Sequence, residues 1–185
     1  MKTKLLCLGD SFCASKEGWP SHLAELLHAD LTCYGLGGQP WYNLVEWMNQ
    51  NSLAVDQAEI IVFAHTNAER IPSEDTQLGL IDHSKNPESE IEQAIHLYFK
   101  YIHSTNFLHF AQKLWFEHIS RRFEDRTLVH LHCFEGHSIV NSDLLQGTNV
   151  LPSLNSISMQ ERNAKLYGDT RKNHFSDNNN QVLAK

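Results

Sequence analysis

The chain predicts an α/β fold of the flavodoxin-like kind, a parallel sheet of four or five strands with helices on both faces. Apolar runs of strand length recur near residues 5–8, 31–34 and 59–65, and each ends at a glycine or a polar turn. Segments with apolar residues at helical spacing stand between them, and strands interleaved with helices pack as a parallel sheet covered on two sides. The first run, Leu5-Leu6-Cys7-Leu8, has no polar residue in alternation, as a strand buried on both faces requires.

Taken in order, Gly9 lets the chain turn sharply after the first strand, so a helix can begin at Ser11. Trp19, Leu23, Leu26 and Leu27 then recur at helical spacing, with Pro20 in a first helical turn. The second strand runs into the glycine-rich turn Gly35-Leu36-Gly37-Gly38-Gln39, and Leu44, Trp47 and Met48 mark a helix beginning near Pro40. The third strand leads to Asn67. Residues 68–90 are polar, contain two prolines and read as a long loop. Residues 91–123 are helical and break near Ser104-Thr105-Asn106. The aromatics of that stretch (Tyr98, Phe99, Tyr101, Phe107, Phe110, Trp115, Phe116) are expected in the core and on packing surfaces. Residues 127–134 form the fourth strand. Residues 135–165 show little periodicity and read as an excursion bordering the active site, with a short fifth strand at 149–151. Ser176 offers an N-cap to a terminal helix.

Composition narrows the function classes. At 185 residues, with no linker or charge block, residues 1–185 are expected to form one domain. A formal net charge of −7 with scattered acids argues against a nucleic-acid surface, and Arg121-Arg122 is too small a basic patch to alter that. No stretch approaches the ~20 apolar residues of a membrane span, and the first strand begins too early for a signal peptide. The expected location is therefore the cytoplasm or a virion. The four cysteines, Cys7, Cys13, Cys33 and Cys133, form no Cys-x-x-Cys and are expected as buried, reduced thiols. His130 and His132 alternate on one face of the fourth strand with His137 following, but no carboxylate or cysteine completes a ligand spacing, so no metal or other cofactor is expected.

Four polar groups fall at strand or loop ends: Ser11 in Gly9-Asp10-Ser11, Gly38 in the glycine-rich turn (with Gly37 as the alternative), Asn67 after the third strand, and His174 in Asn173-His174-Phe175-Ser176. Each also has a plain structural role open to it. Ser11 could cap a first helix, Asn67 could satisfy its own loop backbone, and His174 could stand on the surface before the terminal helix.

The four residues and their order resemble the SGNH hydrolases, also called the GDSL-type esterase/lipase family. Gly9-Asp10-Ser11 fits the family's nucleophile block, Gly18-Trp19-Pro20-Ser21-His22-Leu23 is similar to the opening of its first helix, and Gly38 fits its second block. The third block keeps Asn67, but His65-Thr66-Asn67-Ala68 stands where the family has Gly-x-Asn-Asp. In the fourth block the family's aspartate, three residues before the histidine, is replaced by Arg171; Asp169, five residues before His174, is the substitute acid. The resemblance covers roughly residues 1–70 and 165–185. It implies a three-layer α/β/α fold, with Ser11 as nucleophile and His174 as base. Its oxyanion donors would be the N–H groups of Ser11 and Gly38 with the amide of Asn67. His65, beside Asn67, is expected to line the pocket.

The chemistry asks for these residue types independently. A serine hydroxyl needs a base within hydrogen-bond reach, and neutral histidine suits that near pH 7. An acid behind the histidine fixes its tautomer, and a backbone carbonyl orients the ring less well, so loss of the acid predicts a slow enzyme. The first reading is a serine hydrolase cleaving a small acyl ester, on a carbohydrate or a lipid. The alternative is a catalytically weakened SGNH-like domain that binds glycan or serves as a structural module of a larger assembly such as a phage particle, with an assembly partner or a second copy of the chain.

Overall fold

The computed structural model describes residues 2–15, 17–73, 75, 78, 85–134, 154 and 175–185. Its strands are β1 (Lys4–Gly9), β2 (Asp30–Gly35), β3 (Ile60–His65) and β4 (Thr127–His132). They form one sheet in the order β2-β1-β3-β4, every neighbouring pair parallel. A 3-10 turn (Ser11–Cys13) follows β1, and the helices are α1 (Trp19–Leu26), α2 (Trp41–Gln50), α3 (Ser52–Gln57), α4 (Glu90–Tyr101), α5 (Thr105–Arg122) and α6 (Asp177–Ala184). The α/β fold expected from the sequence is the one observed.

Topology explains why helices cover both faces. From β1 the chain steps to β2 on one side of it and then to β3 on the other. Right-handed crossovers in opposite directions must place their helices on opposite faces. Leu5 and Cys7 accordingly pack with Trp19 and Ala24 of α1 and with Phe175, just ahead of α6, while Leu6 and Leu8 pack with Leu44, Met48, Val55, Trp115 and Ile119 of α2, α3 and α5. Leu5, Leu6, Cys7 and Leu8 are each at most 1% exposed, which is why β1 carries no polar alternation.

The start of α2 and the break between α4 and α5 fall where expected, and several other boundaries differ. The first α-helix starts at Trp19, with Gly18 as its N-cap, and Ser11 lies in the separate 3-10 turn capped by the Asp10 side chain. α2 begins after Pro40, which occupies its N-cap. The short α3 was not foreseen. The break between α4 and α5 falls where Ser104 caps Phe107 N at 3.3 Å. β4 ends at His132, two residues early. Of the aromatics assigned to packing, Trp115 and Phe116 are buried, whereas Tyr101, Phe107 and Phe110 are 71%, 64% and 58% exposed, so the outer faces of α4 and α5 carry rings in solvent. Cys33 is exposed rather than buried, because β2 is the edge strand. The fifth strand expected at 149–151 lies outside the described residues.

Among the described residues, no helix is long and apolar enough to cross a membrane.

Candidate active site

Ser11, Gly38 and Asn67 follow the carboxyl ends of three adjacent strands, β1, β2 and β3. Register brings those ends level: Gly9 pairs with Gly35, and Leu8 with Phe63. Between β1 and β3 the connections leave in opposite directions, and such a switch point opens a crevice at the carboxyl edge of a parallel sheet.

Each of the three residues is held by its own local chemistry. The carboxylate of Asp10 accepts from Phe12 N at 3.1 Å and the Asp10 carbonyl from Cys13 N at 2.9 Å, which winds Ser11 into the 3-10 turn at half-buried depth. Asp10, not Ser11, is therefore the cap, and the capping role does not account for the serine. Gly38 has φ 75°, a left-handed value at the third position of a turn in which Gln39 N donates to Leu36 O at 3.4 Å. A type II turn needs glycine there. A Cβ on Gly37 would meet only open space, so of the two glycines Gly38 is the one the backbone requires. Asn67 accepts from Glu69 N through Oδ1 at 2.9 Å, an Asx turn that commits the amide oxygen and leaves Nδ2 as the donor end.

Behind these residues lies a buried polar network that the sequence reading did not anticipate. Asp10 is fully buried and meets the Arg70 guanidinium, Nη2 to Oδ2, at 3.2 Å. Arg70 also donates from Nη1 to the Gln39 carbonyl at 2.9 Å, and its guanidinium lies 5.0 Å over the ring of Phe134. The Thr66 hydroxyl shares its proton between Asp10 Oδ2 (3.2 Å) and Gln39 O (3.1 Å). Gln39 Nε2 donates to Gly9 O, and Gln112 Nε2 of α5 donates to Thr66 O at 2.8 Å. Burial, reinforced by the charge and the hydrogen bond of Asp10, pushes the Cys133 thiol well above its ordinary value. The segments following all four strands are thus tied to one carboxylate. A lone buried carboxylate would cost several kcal/mol, so its pairing with Arg70 fixes the relative positions of the loops.

Asp169, Arg171 and His174 lie outside the described residues. The residue after His174 is described: Phe175 is 1% exposed, and its ring centroid lies 5.4 Å from that of Phe12, the residue after Ser11. Trp19 joins the same cluster, donating from Nε1 to Phe12 O at 2.9 Å and from its backbone N to Asn180 Oδ1 of α6 at 2.8 Å. Ser176 caps α6 as expected, accepting from Asn179 N at 3.3 Å.

His65 sits in surroundings other than those expected. It is 3% exposed, with Nε2 at 2.8 Å from His130 Nδ1, among the rings of Phe63 and Phe116 on the α5 side of the sheet. Ser120 Oγ lies 3.3 Å from the other nitrogen of His130. Burial first, then the neighbouring His132, brings His130 down to about 4, so His130 is neutral near pH 7. A direct contact between two imidazoles uses a proton and a lone pair, and among the described residues no three of His, Cys, Asp and Glu are arranged to hold a metal.

No family model matches the chain, and no curated protein matches it. A solved structure from Desulfitobacterium hafniense DCB-2, provisionally named a lipolytic protein of the G-D-S-L family, is similar at TM-score 0.52 and 14% identity, covering 98% of this chain and 95% of that one. The likeness is one of fold. It extends over nearly the whole of both chains and supports the α/β architecture.

Proposed function

We propose that the protein is a serine hydrolase of the SGNH type, acting on a small acyl ester of a carbohydrate or lipid. The observation that carries this reading is the packing of Phe12 on Phe175: these rings immediately follow Ser11 and His174, 163 residues apart in sequence, and lie 5.4 Å from each other. A serine and a histidine tethered in this way by their neighbours can reach hydrogen-bond distance, the first requirement of an activated nucleophile.

In the proposed mechanism His174 takes the proton of Ser11 as Oγ attacks the ester carbonyl. The N–H groups of Ser11 and Gly38 and Nδ2 of Asn67 receive the oxyanion. His174 then returns the proton to the leaving alcohol, and water repeats the sequence on the acyl-enzyme. Asp169 orients the imidazole. The similar fold of a G-D-S-L protein supports the architecture of this reading. Its test is hydrolysis of a short-chain aryl ester: Ser11→Ala and His174→Ala should each remove most of the turnover, because nucleophile and base act as a unit. Asp169→Asn should lower turnover far more than Arg171→Ala. Equal and small effects of those two changes would transfer the orienting role from Asp169 to a backbone carbonyl or water.

Arg171 favours a second reading, since an arginine at the family's acid position cannot accept the imidazole proton. On that reading the crevice binds glycan without turnover. Folded protein with no Ser11-dependent hydrolysis but measurable glycan affinity would select it.

A further inference from the structure

Two cysteines bring the 3-10 turn against β2, an arrangement independent of the esterase reading. Cys7 pairs with Cys33 and Gly9 with Gly35 along β1 and β2, so all four point to one face of the two strands. The two glycines form a seat for Cys13. A Cβ on Gly9 would come within 2.6 Å of Cys13 Sγ, and one on Gly35 within 2.8 Å of Cys13 Cβ. Cys13 therefore lies directly over the strand ends, with Cys33 one register step behind. As a thiol, Cys33 donates from Sγ to the Cys13 carbonyl at 3.2 Å, which brings its sulfur against the Cys13 backbone. Cys33 is the exposed member, on the edge strand, and with Cys13, Ser15, Ser21 and Gly35 it lines an open cavity of about 340 Å³. A small solute can reach the pair through that cavity.

We propose that Cys33 and Cys13 form a thiol pair oxidised by hydroperoxides, with Cys33 as the sulfur attacked and Cys13 as the thiol that resolves it to a disulfide. The hydrogen bond from Cys13 favours the thiolate of Cys33 and lowers its pKa, whereas burial raises those of Cys13, Cys7 and Cys133. The Cys33 thiolate attacks the hydroperoxide: an S–O bond forms, the O–O bond breaks, and the departing oxygen takes up a proton to leave as alcohol or water. Cys13 then loses its proton and its sulfur attacks the sulfenic sulfur: the S–S bond forms, the S–O bond breaks, and water leaves. Two electrons pass from the sulfurs to the peroxide. Cys7, paired with Cys33 across β1 and β2, is the competing resolving thiol that the test must separate from Cys13. The disulfide would pin the turn that begins at Ser11 to β2.

The test exposes native protein to hydrogen peroxide, blocks the remaining thiols with N-ethylmaleimide, and maps the unreduced digest by mass spectrometry. The expected result is loss of two of the four thiols with a Cys13–Cys33 cross-linked peptide, reversed by dithiothreitol. In Cys13→Ser the reaction should stop at a sulfenic acid on Cys33 that dimedone captures. In Cys33→Ser neither product should form. A cross-link of Cys33 to Cys7 or Cys133, a sulfenic acid on another cysteine, or four intact thiols after peroxide treatment would overturn the proposal. The wild-type map stands without the variants, so a misfolded variant does not spare it. Because the readout is covalent and ignores turnover, a protein without Ser11-dependent hydrolysis that still forms the disulfide would refute the esterase reading alone.

Discussion

Asp10 carries a carboxylate into a position with no solvent exposure, and Arg70, 60 residues later, is the cation that answers it. Removing one partner of a buried pair leaves the other charge uncompensated, which typically costs ~3–5 kcal/mol. Arg70→Ala should therefore destabilise the protein by about that amount in urea unfolding, and Asp10→Asn by less, since a neutral amide can keep part of the network. If Arg70→Ala unfolds at the wild-type midpoint, the pair does not hold the loops. Asn67→Ala should act differently, lowering kcat by roughly a hundred- to a thousand-fold through loss of an oxyanion donor. At this scale the sequence was legible where a residue acts through its own neighbours. The turns that hold Ser11, Gly38 and Asn67 show in the local sequence. Arg70 does not, because its partner is remote in sequence and only the fold pairs them. Proximity to Asn67 in sequence points His65 toward the pocket, whereas strand alternation puts it on the face of Phe63, against α5.

The two glycines of the second loop differ at the level of the element. Gly38 sits at φ 75°, where a Cβ costs about 1–2 kcal/mol, and it belongs to the turn that presents its N–H. Gly38→Ala should thus lower both stability and turnover, while Gly37→Ala, with open space around its Cβ, should change stability by less than about 0.5 kcal/mol. Equal losses from the two would remove the reason for choosing Gly38. Long, strongly patterned elements were readable for a physical cause: β1 is buried on both faces, and α5 places Leu108, Gln112, Trp115, Phe116 and Ile119 on one stripe. Short ones were not. The six residues of α3 cover too few turns to show a period, and a three-residue 3-10 turn has none.

At the scale of the molecule, the order β2-β1-β3-β4 sends successive connections to opposite faces, and in such sheets ligands bind beside the switch point at the carboxyl ends of the strands, where the proposed site lies. That topology follows from the alternation of strands and helices, so the fold class was legible before any contact was known. The histidine ladder of β3 and β4 was not, and the burial of His130 within it predicts a loss of stability in acid. His130 binds a proton near 6.5 when unfolded and near 4 when folded. Between those values the unfolded chain holds more protons, so stability is full above 6.5 and falls as pH drops toward 4, by at most roughly 3 kcal/mol from this group. His132, also lowered by burial, adds a change of the same sign. Urea unfolding followed across that window should show the decline, and His130→Leu should flatten it; an unchanged slope in the variant would assign the decline to other groups. Whether Ser11 is a nucleophile activated by His174 is decided by labelling the native protein with a fluorophosphonate probe and mapping the adduct. One modified serine, Ser11, is expected, with labelling abolished in Ser11→Ala and nearly abolished in His174→Ala. Folded protein that resists the probe, or an adduct that persists in Ser11→Ala, would contradict that role.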